Sequence, residues 1–319
     1  MANLPIYPFE TLDFGTLLEI VPGIHWLRMP MPFPLDHINL WLLEDGDSWT
    51  LVDTGYNTEE VRELWRAVIS KFQGGRSITR LIVTHFHPDH MSLAGWFVDG
   101  LGADLWMSYT EWLQAHVNQG DGVTDDLERR IAFYRRHGLG DEAISGYCAA
   151  RSDFSNVILP IPDTFRRIGQ GDEITIGGCI WRVITGGGHS PEHTSLWCED
   201  TNVLISGDQV LPRITSHVSV FYYEPDGDPL RRFLASFERF RHLPHDVLVL
   251  PSHNLPFRGL HDRLDAITAH HRDRLEMTHA ACAEPRTTAE LIGAIFSRPL
   301  DAIQTTFAFG ETLAHTNYL

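Results

Sequence analysis

The residues best suited to chemistry crowd one short segment, Thr84-His85-Phe86-His87-Pro88-Asp89-His90. Neutral imidazole nitrogens and carboxylates are ligands that Zn²⁺ and similar divalent ions accept. His85 and His87 stand two apart in a stretch that reads as extended, so they share a face and can reach one ion. Pro88 suits the first position of a helix, and the turn it starts lets Asp89 and His90 point to a second locus. One segment can thus supply half of a two-ion site. Three later residues repeat the context, a ligand type directly after a strand-like run. His189 follows Thr185-Gly186-Gly187-Gly188, Asp208 follows Val203–Gly207, and His253 follows Val247–Leu250 and Pro251-Ser252. A single histidine after a strand is more often structural; here the ordered set carries the metal chemistry. There is no G-x-S-x-G elbow for a serine nucleophile.

Strands and helices must bring these residues together. The alternation and β-branched content predict strands at Ile24–Met29, Ile38–Glu44 and Trp49–Asp53, with a hairpin signal at Asp45-Gly46. Val61, Leu64, Trp65, Val68, Ile69 and Phe72 fall at helical spacing, so a helix is expected over Thr58–Phe72, capped by Thr58. A buried strand is expected at Ile78–Val83, a helix over 88–99, a strand at 103–107 and a helix over 108–117. Residues 118–155 are polar, hold Arg129, Arg130, Arg135 and Arg136, and read as a helical insertion. Strands resume at Ile180–Thr185, Thr194–Trp197 and Val203–Ser206, followed by a helix at Pro229–Leu243 and a strand at Val247–Leu250. A helix over Leu260–Met277 and two more within 286–319, the first capped by Thr287 or Thr288, complete an α/β mixture. Residues 1–23 are punctuated by proline and give no clear period.

The chain has 319 residues and 25 Lys and Arg against 42 Asp and Glu, a formal charge of −17. Hydrophobic residues at 43% and charged residues at 21% match an ordinary globular protein rather than a disordered one. The acidic balance argues against a nucleic-acid coat and against an anionic membrane surface. Residues 261–319 add no basic arm, with five Arg against eight Asp and Glu. No run of 18 apolar residues suggests a spanning helix, and the first residues show no signal-peptide pattern, so the cytoplasm is the expected compartment. Cys148, Cys179, Cys198 and Cys282 form no C-x-x-C pair and read as free thiols in a reducing compartment. Cys179 and Cys198 both fall in strand-like segments, which leaves their pairing open, and self-association is open too.

Taken together, THFHPDH, GGGHSPEHT, ISGDQ and LPSHN resemble the metallo-β-lactamase-fold hydrolase superfamily, and most of all its glyoxalase II-like (thioester hydrolase) branch. The resemblance covers roughly residues 24–260. It implies an αββα sandwich, two mixed sheets flanked by helices. It further implies a hydrolase domain at 1–260 that contains the 118–155 insertion, with a C-terminal helical extension at 261–319. One divalent ion would sit on His85, His87 and His189, and a second on Asp89, His90 and His253, with Asp208 bridging. Zinc is the first expectation for both, with iron or manganese able to use the same ligands. Asp53 matches the family's aspartate beneath the ligand loop, and His193 the residue that steadies the loop after the third histidine. A bridging aspartate is typical of the superfamily's glyoxalase II-like enzymes, lactonases and RNA-processing members, and the β-lactamases proper usually lack it. The lactonase branch usually has a tyrosine shortly afterwards, where this chain has Gln209, Val210 and Leu211.

The expected activity is hydrolysis of an ester or thioester carbonyl in a small molecule by a metal-bridging hydroxide, with Asp89 orienting it and shuttling the proton. Arg258, five residues past His253, is a candidate anchor for a carboxylate or phosphate, or else a surface arginine at a helix entry. His37 lies near the same rim, and Phe221, Tyr222 and Tyr223 form a cluster that either walls an apolar pocket or packs in the core. Competing readings are a lactonase or β-lactamase-like amidase, a phosphodiesterase or nuclease, and a metal-binding redox or sensor module without catalysis.

Overall fold

The computed structural model describes residues 5–72, 75–119, 127–146 and 157–319, and of residues 302 and 303 the backbone only. Seven strands make the first sheet in simple chain order: β1 (Leu17–Val21), β2 (Ile24–Pro30), β3 (His37–Asp45), β4 (Ser48–Val52), β5 (Ile78–Ile82), β6 (Asp104–Met107) and β7 (Arg166–Arg167). The first four are antiparallel, whereas β4 to β7 run parallel. The second sheet holds β8 (Glu173–Ile176), β9 (Cys179–Gly186), β10 (His193–Cys198), β11 (Val203–Gly207) and β12 (Leu248–Pro251) in the order β12-β11-β10-β9-β8. Only β11 and β12 are parallel there.

Parallel neighbours need crossovers, and helices supply them. α1 (Glu59–Ile69) joins β4 to β5, and α2 (Pro88–Met91) and α3 (Ala94–Leu101) join β5 to β6. α4 (Tyr109–Gln119), α5 (Leu127–Arg136) and α6 (residues 141–146) lie between β6 and β7, and α7 (Pro229–Ser236) between β11 and β12. α8 (Leu260–Ala281), α9 (Thr288–Ile295) and α10 (Ala302–Tyr318) follow. The N-caps act as expected. Thr58 Oγ1 accepts from Val61 N at 3.2 Å, and Thr287 forms a capping box with Glu290.

Alternation along β3 builds the layers. Leu40 and Leu42 face α1 and α3, meeting Val61, Trp65 and Phe97. Trp41 and Leu43 turn the other way and, with Trp26, meet Trp181, Val183, Leu196 and Leu250 of the second sheet. On that sheet's far face Ile184, Trp197, Leu204 and Val249 pack against Phe233 of α7, Leu264 and Ile267 of α8, and Phe309 and Leu313 of α10. Burying each large side chain contributes roughly 1.5–3 kcal/mol, so these three apolar layers fix the αββα order. The helices after residue 260 share the core of α7 and the second sheet.

The structure departs from the sequence expectations in several places. The helix expected over 88–99 is split at Ser92-Leu93. Ser92 Oγ donates to the Gly55 carbonyl and Thr54 Oγ1 accepts from Leu93 N, so the loop after β4 captures the groups at the break. The expected Pro229–Leu243 helix stops at Ser236 and continues as a 3₁₀ turn, Phe237–Arg239. The strands β1, β7 and β8 are not expected from the sequence: β1 lies in the proline-punctuated start of the chain and β7 has two residues. Cys179, Cys198 and Cys282 are free thiols, so Cys179 and Cys198 are unbridged. Cys148 and residues 120–126 and 147–156 of the expected insertion lie outside the described residues. Among the described residues no helix is long and apolar enough to cross a membrane.

Two buried histidines join α8 to α10. His315 Nδ1 donates to the Glu311 carbonyl at 2.7 Å, so its Nε2 accepts from His271 Nδ1 at 3.2 Å. Burial, reinforced by His315, pushes His271 down to about 3, and burial lowers His315 as well. Below the ordinary histidine value near ~6.5 the unfolded chain takes up protons that the folded chain refuses. Stability from each histidine is therefore complete above pH ~6.5 and lost as pH falls, at up to about 1.4 kcal/mol per pH unit. Thermal unfolding of wild type and His271→Asn between pH 7 and 5 checks this. The variant should be less stable at pH 7 and the gap should narrow toward pH 5; a constant gap contradicts it.

Candidate metal centre

The sheet directions decide where the polar residues go. β5 releases Thr84–His90 at its C-terminal end, β9 releases His189, β11 releases Asp208 and β12 releases His253. All these side chains meet at one edge of the sandwich. Two glycines permit the close approach. Gly207 has φ 53°, and a Cβ there would lie 2.5 Å from the His193 ring. Gly188 has φ 93°, and its Cβ would lie 2.3 Å from the Pro229 carbonyl at the start of α7.

Three ligand groups overlap. The potential ligand atoms of His85, His87 and His189 lie within 4.8 Å of one another, as do those of His85, His90 and Asp208, and those of Asp89, His90 and His253. Asp208 stands between the outer groups: Oδ2 is 3.5 Å from His189 Nε2 and 3.7 Å from His90 Nε2, and Oδ1 is 3.4 Å from His253 Nε2. Asp89 Oδ2 lies 3.4 Å from His90 Nε2 and 3.3 Å from His253 Nε2.

Hydrogen bonds on the outer side set each ring. His189 Nδ1 donates to the His217 carbonyl at 2.8 Å and His253 Nδ1 to the His37 carbonyl at 2.8 Å. His90 Nδ1 donates to Asp53 Oδ2 at 2.8 Å. Asp53, held at φ 63°, also accepts from Thr84 N at 2.8 Å and Thr84 Oγ1 at 2.9 Å. With its own proton committed to Asp53, Thr84 Oγ1 accepts from His85 Nδ1 at 3.0 Å. His85 Nε2 and His189 Nε2 are therefore both acceptors and face each other at 3.1 Å, while His87 Nδ1 lies 2.9 Å from His85 Nε2 and can donate to it. That one proton is shared among three rings, so the facing acceptors of His85 and His189 still repel, and a cation before the three rings relieves them. His90 Nε2 and Asp208 Oδ1 are buried without a hydrogen-bond partner. Buried polar atoms of this kind are costly when left alone, and a divalent cation satisfies them, so the residues fit such an ion.

Charge follows the same division. Burial, reinforced by the neighbouring imidazoles, holds His85 well below the usual histidine range, and burial also lowers His87 and His189. Burial also acts to lower His253, but Asp208 and Asp89 outweigh it and hold the ring up at about 10. His90 is raised in the same way by Asp89, Asp53 and Asp208. Burial opposes ionisation of Asp89 and Asp208, yet His90 and His253 hold both well below the usual carboxylate range.

The other sequence-selected residues are placed as follows. His193 lies beneath Asp208, whose backbone N donates to His193 Nε2 at 3.0 Å. His37 is 7% exposed and both ring nitrogens are used: Nδ1 contacts Asp36 at 2.6 Å and Nε2 accepts from Asn254 N at 2.8 Å. It braces the loop of His253 instead of offering a free face to substrate, which corrects the expectation of a substrate contact. Arg258 is also corrected. Phe257 pairs back on Val249, and the Arg258 guanidinium donates to the Asp246 carbonyl, at the end of β12 opposite His253. Tyr222 is committed to the insertion, its hydroxyl accepting from Arg130 at 3.2 Å with the guanidinium 4.6 Å over its ring. Phe221 and Tyr223 stack on each other at 5.5 Å. Sequence reasoning missed Asn39, which accepts from Trp26 Nε1 and donates to the Pro251 and Asn254 carbonyls, fastening the first sheet to the His253 loop. A lone amide inside an apolar strand is the signal that marks it. Glu111 was missed as well, because an acid in a first helical turn looks ordinary.

This fold and edge cluster are those of a metal-dependent hydrolase class. Residues 34–253 match the family model of the metallo-beta-lactamase superfamily, and residues 275–319 match a metallo-beta-lactamase-like C-terminal domain. The chain belongs to the metallo-beta-lactamase superfamily. It is similar to a solved beta-lactamase domain protein from Burkholderia ambifaria, with 42% identity and a TM-score of 0.90 over 98% of this chain and 92% of that one. Among curated proteins, a probable metallo-hydrolase, YqjP, of Bacillus subtilis is 24% identical over 92% of this chain and 91% of its own length. A beta-lactamase-like protein 2 homolog of Caenorhabditis elegans is 23% identical over 77% of this chain, which spans 65% of that protein. An atrochrysone carboxyl ACP thioesterase of Aspergillus fumigatus is 23% identical over 81% of this chain and 45% of its own length.

Because its guanidinium is spent on the Asp246 carbonyl, Arg258→Ala should leave KM for anionic and neutral substrates unchanged. Steady-state kinetics on one charged and one neutral substrate test this, and a selective rise in KM for the anion would restore the anchor.

Proposed function

We propose that the protein is a two-ion hydrolase of small-molecule ester or thioester carbonyls, with thioesters the preferred class. The observation that carries the reading is the convergence of the His85, His87 and His189 ring nitrogens, with His85 Nε2 and His189 Nε2 facing each other at 3.1 Å, beside the Asp208 carboxylate that also lies 3.4 Å from His253 Nε2. His85, His87 and His189 would hold one ion, Asp89, His90 and His253 the other, and Asp208 would serve both; Zn²⁺ suits this nitrogen and oxygen set. Divalent ions at such a site lower the pKa of water to about 7 and stabilise negative charge developing on a carbonyl oxygen.

The protein's own residues do the rest. Asp53 and the His37 and His217 carbonyls lock the imidazoles so that their lone pairs stay aimed inward. Asp89 is the more open of the two central carboxylates, with a side chain 17% exposed against 9% for Asp208. It is therefore the group placed to take a proton from the attacking water and return it to the departing thiolate or alkoxide. Pre-aligned groups cost no reorganisation at the moment of reaction, which favours a charged transition state. The thioester preference is supported by the curated thioesterase relative and by Asp208, the residue that β-lactamases proper usually lack.

Metal-loaded protein should be assayed with chromogenic thioester, lactone and bis-phosphodiester substrates side by side. The thioester should show the highest kcat/KM, and chelation should abolish turnover until Zn²⁺ is restored. Turnover of the phosphodiester alone would overturn the carbonyl reading, and full activity after verified metal removal would overturn the metal reading.

A further inference from the structure

Glu111, in the first turn of α4, is fully buried, and its carboxylate takes three hydrogen bonds from two different loops. Oε2 accepts from Phe86 N at 3.0 Å. Oε1 accepts from Ser190 Oγ at 2.6 Å and from Glu192 N at 2.6 Å. Phe86 stands between His85 and His87, and Ser190 directly follows His189. One carboxylate thus spans the two chain segments that carry His85, His87 and His189. Neighbouring residues strengthen the clamp: Ser108 Oγ donates to the Glu192 carbonyl at 3.0 Å, and Thr110 Oγ1 donates to Glu192 Oε2 at 2.9 Å.

The other ligand group is braced separately. Asp53 orients His90, and His37 and Asn39 hold the His253 loop. Neither brace involves Glu111. A buried carboxylate with no cation against it is expensive, and burial pushes Glu111 up to about 7 against the pull of its hydrogen bonds. A cost of that kind is sustained where the loops it joins must keep one separation.

We propose that Glu111 is a positioning residue for one ion only: it fixes the distance between the His85–His87 segment and the His189 segment. The inference rests on the two-ion reading above. A glutamine at 111 keeps one acceptor for Ser190 and Glu192, but its amide NH₂ would face the Phe86 N–H and leave that donor unpaired. Loss of such a supporting group typically weakens metal binding about 10–100-fold.

The test is a Zn²⁺ titration of metal-stripped full-length protein in competition with a chromophoric chelator, run on wild type, Glu111→Gln and Ser190→Ala. Thermal unfolding is followed on the same samples. Wild type should take up two equivalents. Glu111→Gln should keep one at wild-type affinity and bind the other about 10–100-fold more weakly. Ser190→Ala, which removes a single donor and leaves the clamp otherwise intact, should shift the same equivalent by less, and it decides the matter if Glu111→Gln does not fold. Two equivalents at unchanged affinity with a lowered Tm would make Glu111 merely structural and overturn the inference alone. Parallel weakening of both equivalents would overturn its selectivity. Fewer than two equivalents in wild type would overturn the two-ion reading and this inference with it.

Discussion

Two neutral imidazoles whose acceptor nitrogens meet at 3.1 Å in a buried pocket repel each other, and the one proton that His87 Nδ1 can offer His85 Nε2 from 2.9 Å does not serve both. His189 has its other nitrogen tied to the His217 carbonyl, and His85 has its other nitrogen tied through Thr84 to Asp53. Neither ring can turn a proton inward without giving up an outer bond. Burial closes the remaining escape, because it disfavours protonating His85 or His189. In the second ligand group Asp89, Asp53 and Asp208 raise His90 and His253, so that these carboxylates favour positive charge at the inward ring nitrogens, whether a proton or an ion supplies it. A pocket that combines crowded imidazole acceptors on one side with the Asp89 and Asp208 carboxylates on the other is suited to receive positive charge.

The rest of the fold maintains that crowding. Three apolar layers hold two sheets face to face, and the strands that carry the polar residues all end at one edge of the stack. Cross-sheet polar contacts then fix the edge: Asn39 of β3 bonds the carbonyls around His253, and Thr194 N of β10 donates to the Thr84 carbonyl at 2.8 Å. These bonds, one set from the Asn39 side chain and one between backbones, fasten the two sheets behind the cluster, where water does not compete. The net charge of −17 and the inward-facing carboxylates are thus compatible with a locally cation-seeking centre. The helices after residue 260 add to the same core through Leu264, Ile267, Phe309 and Leu313, and so support the sheet that carries His189 and Asp208.

Much of this was readable in the sequence because it is local. The motif around His85–His90 announces its candidate ligands through spacing, and the strands before Asp53, His189, Asp208 and His253 declare themselves through β-branched runs. The family model and the architecture agree with the family and the fold expected from these segments. What failed was long-range. Arg258 is five residues from His253, but the chain doubles back along β12 and carries it to the opposite end. His37 lies at the rim, but its ring nitrogens are taken by Asp36 and Asn254. The break at Ser92 is dictated by Gly55 and Thr54, more than thirty residues away. Glu111 and Asn39 act on segments that no local period connects to them.

The most direct test of the two-ion centre is an anomalous-scattering map from crystals of the metal-loaded protein. Two peaks are expected, one among His85, His87 and His189 and one among Asp89, His90 and His253, with Asp208 touching both. A single peak, or peaks away from these residues at full metal content, would contradict it.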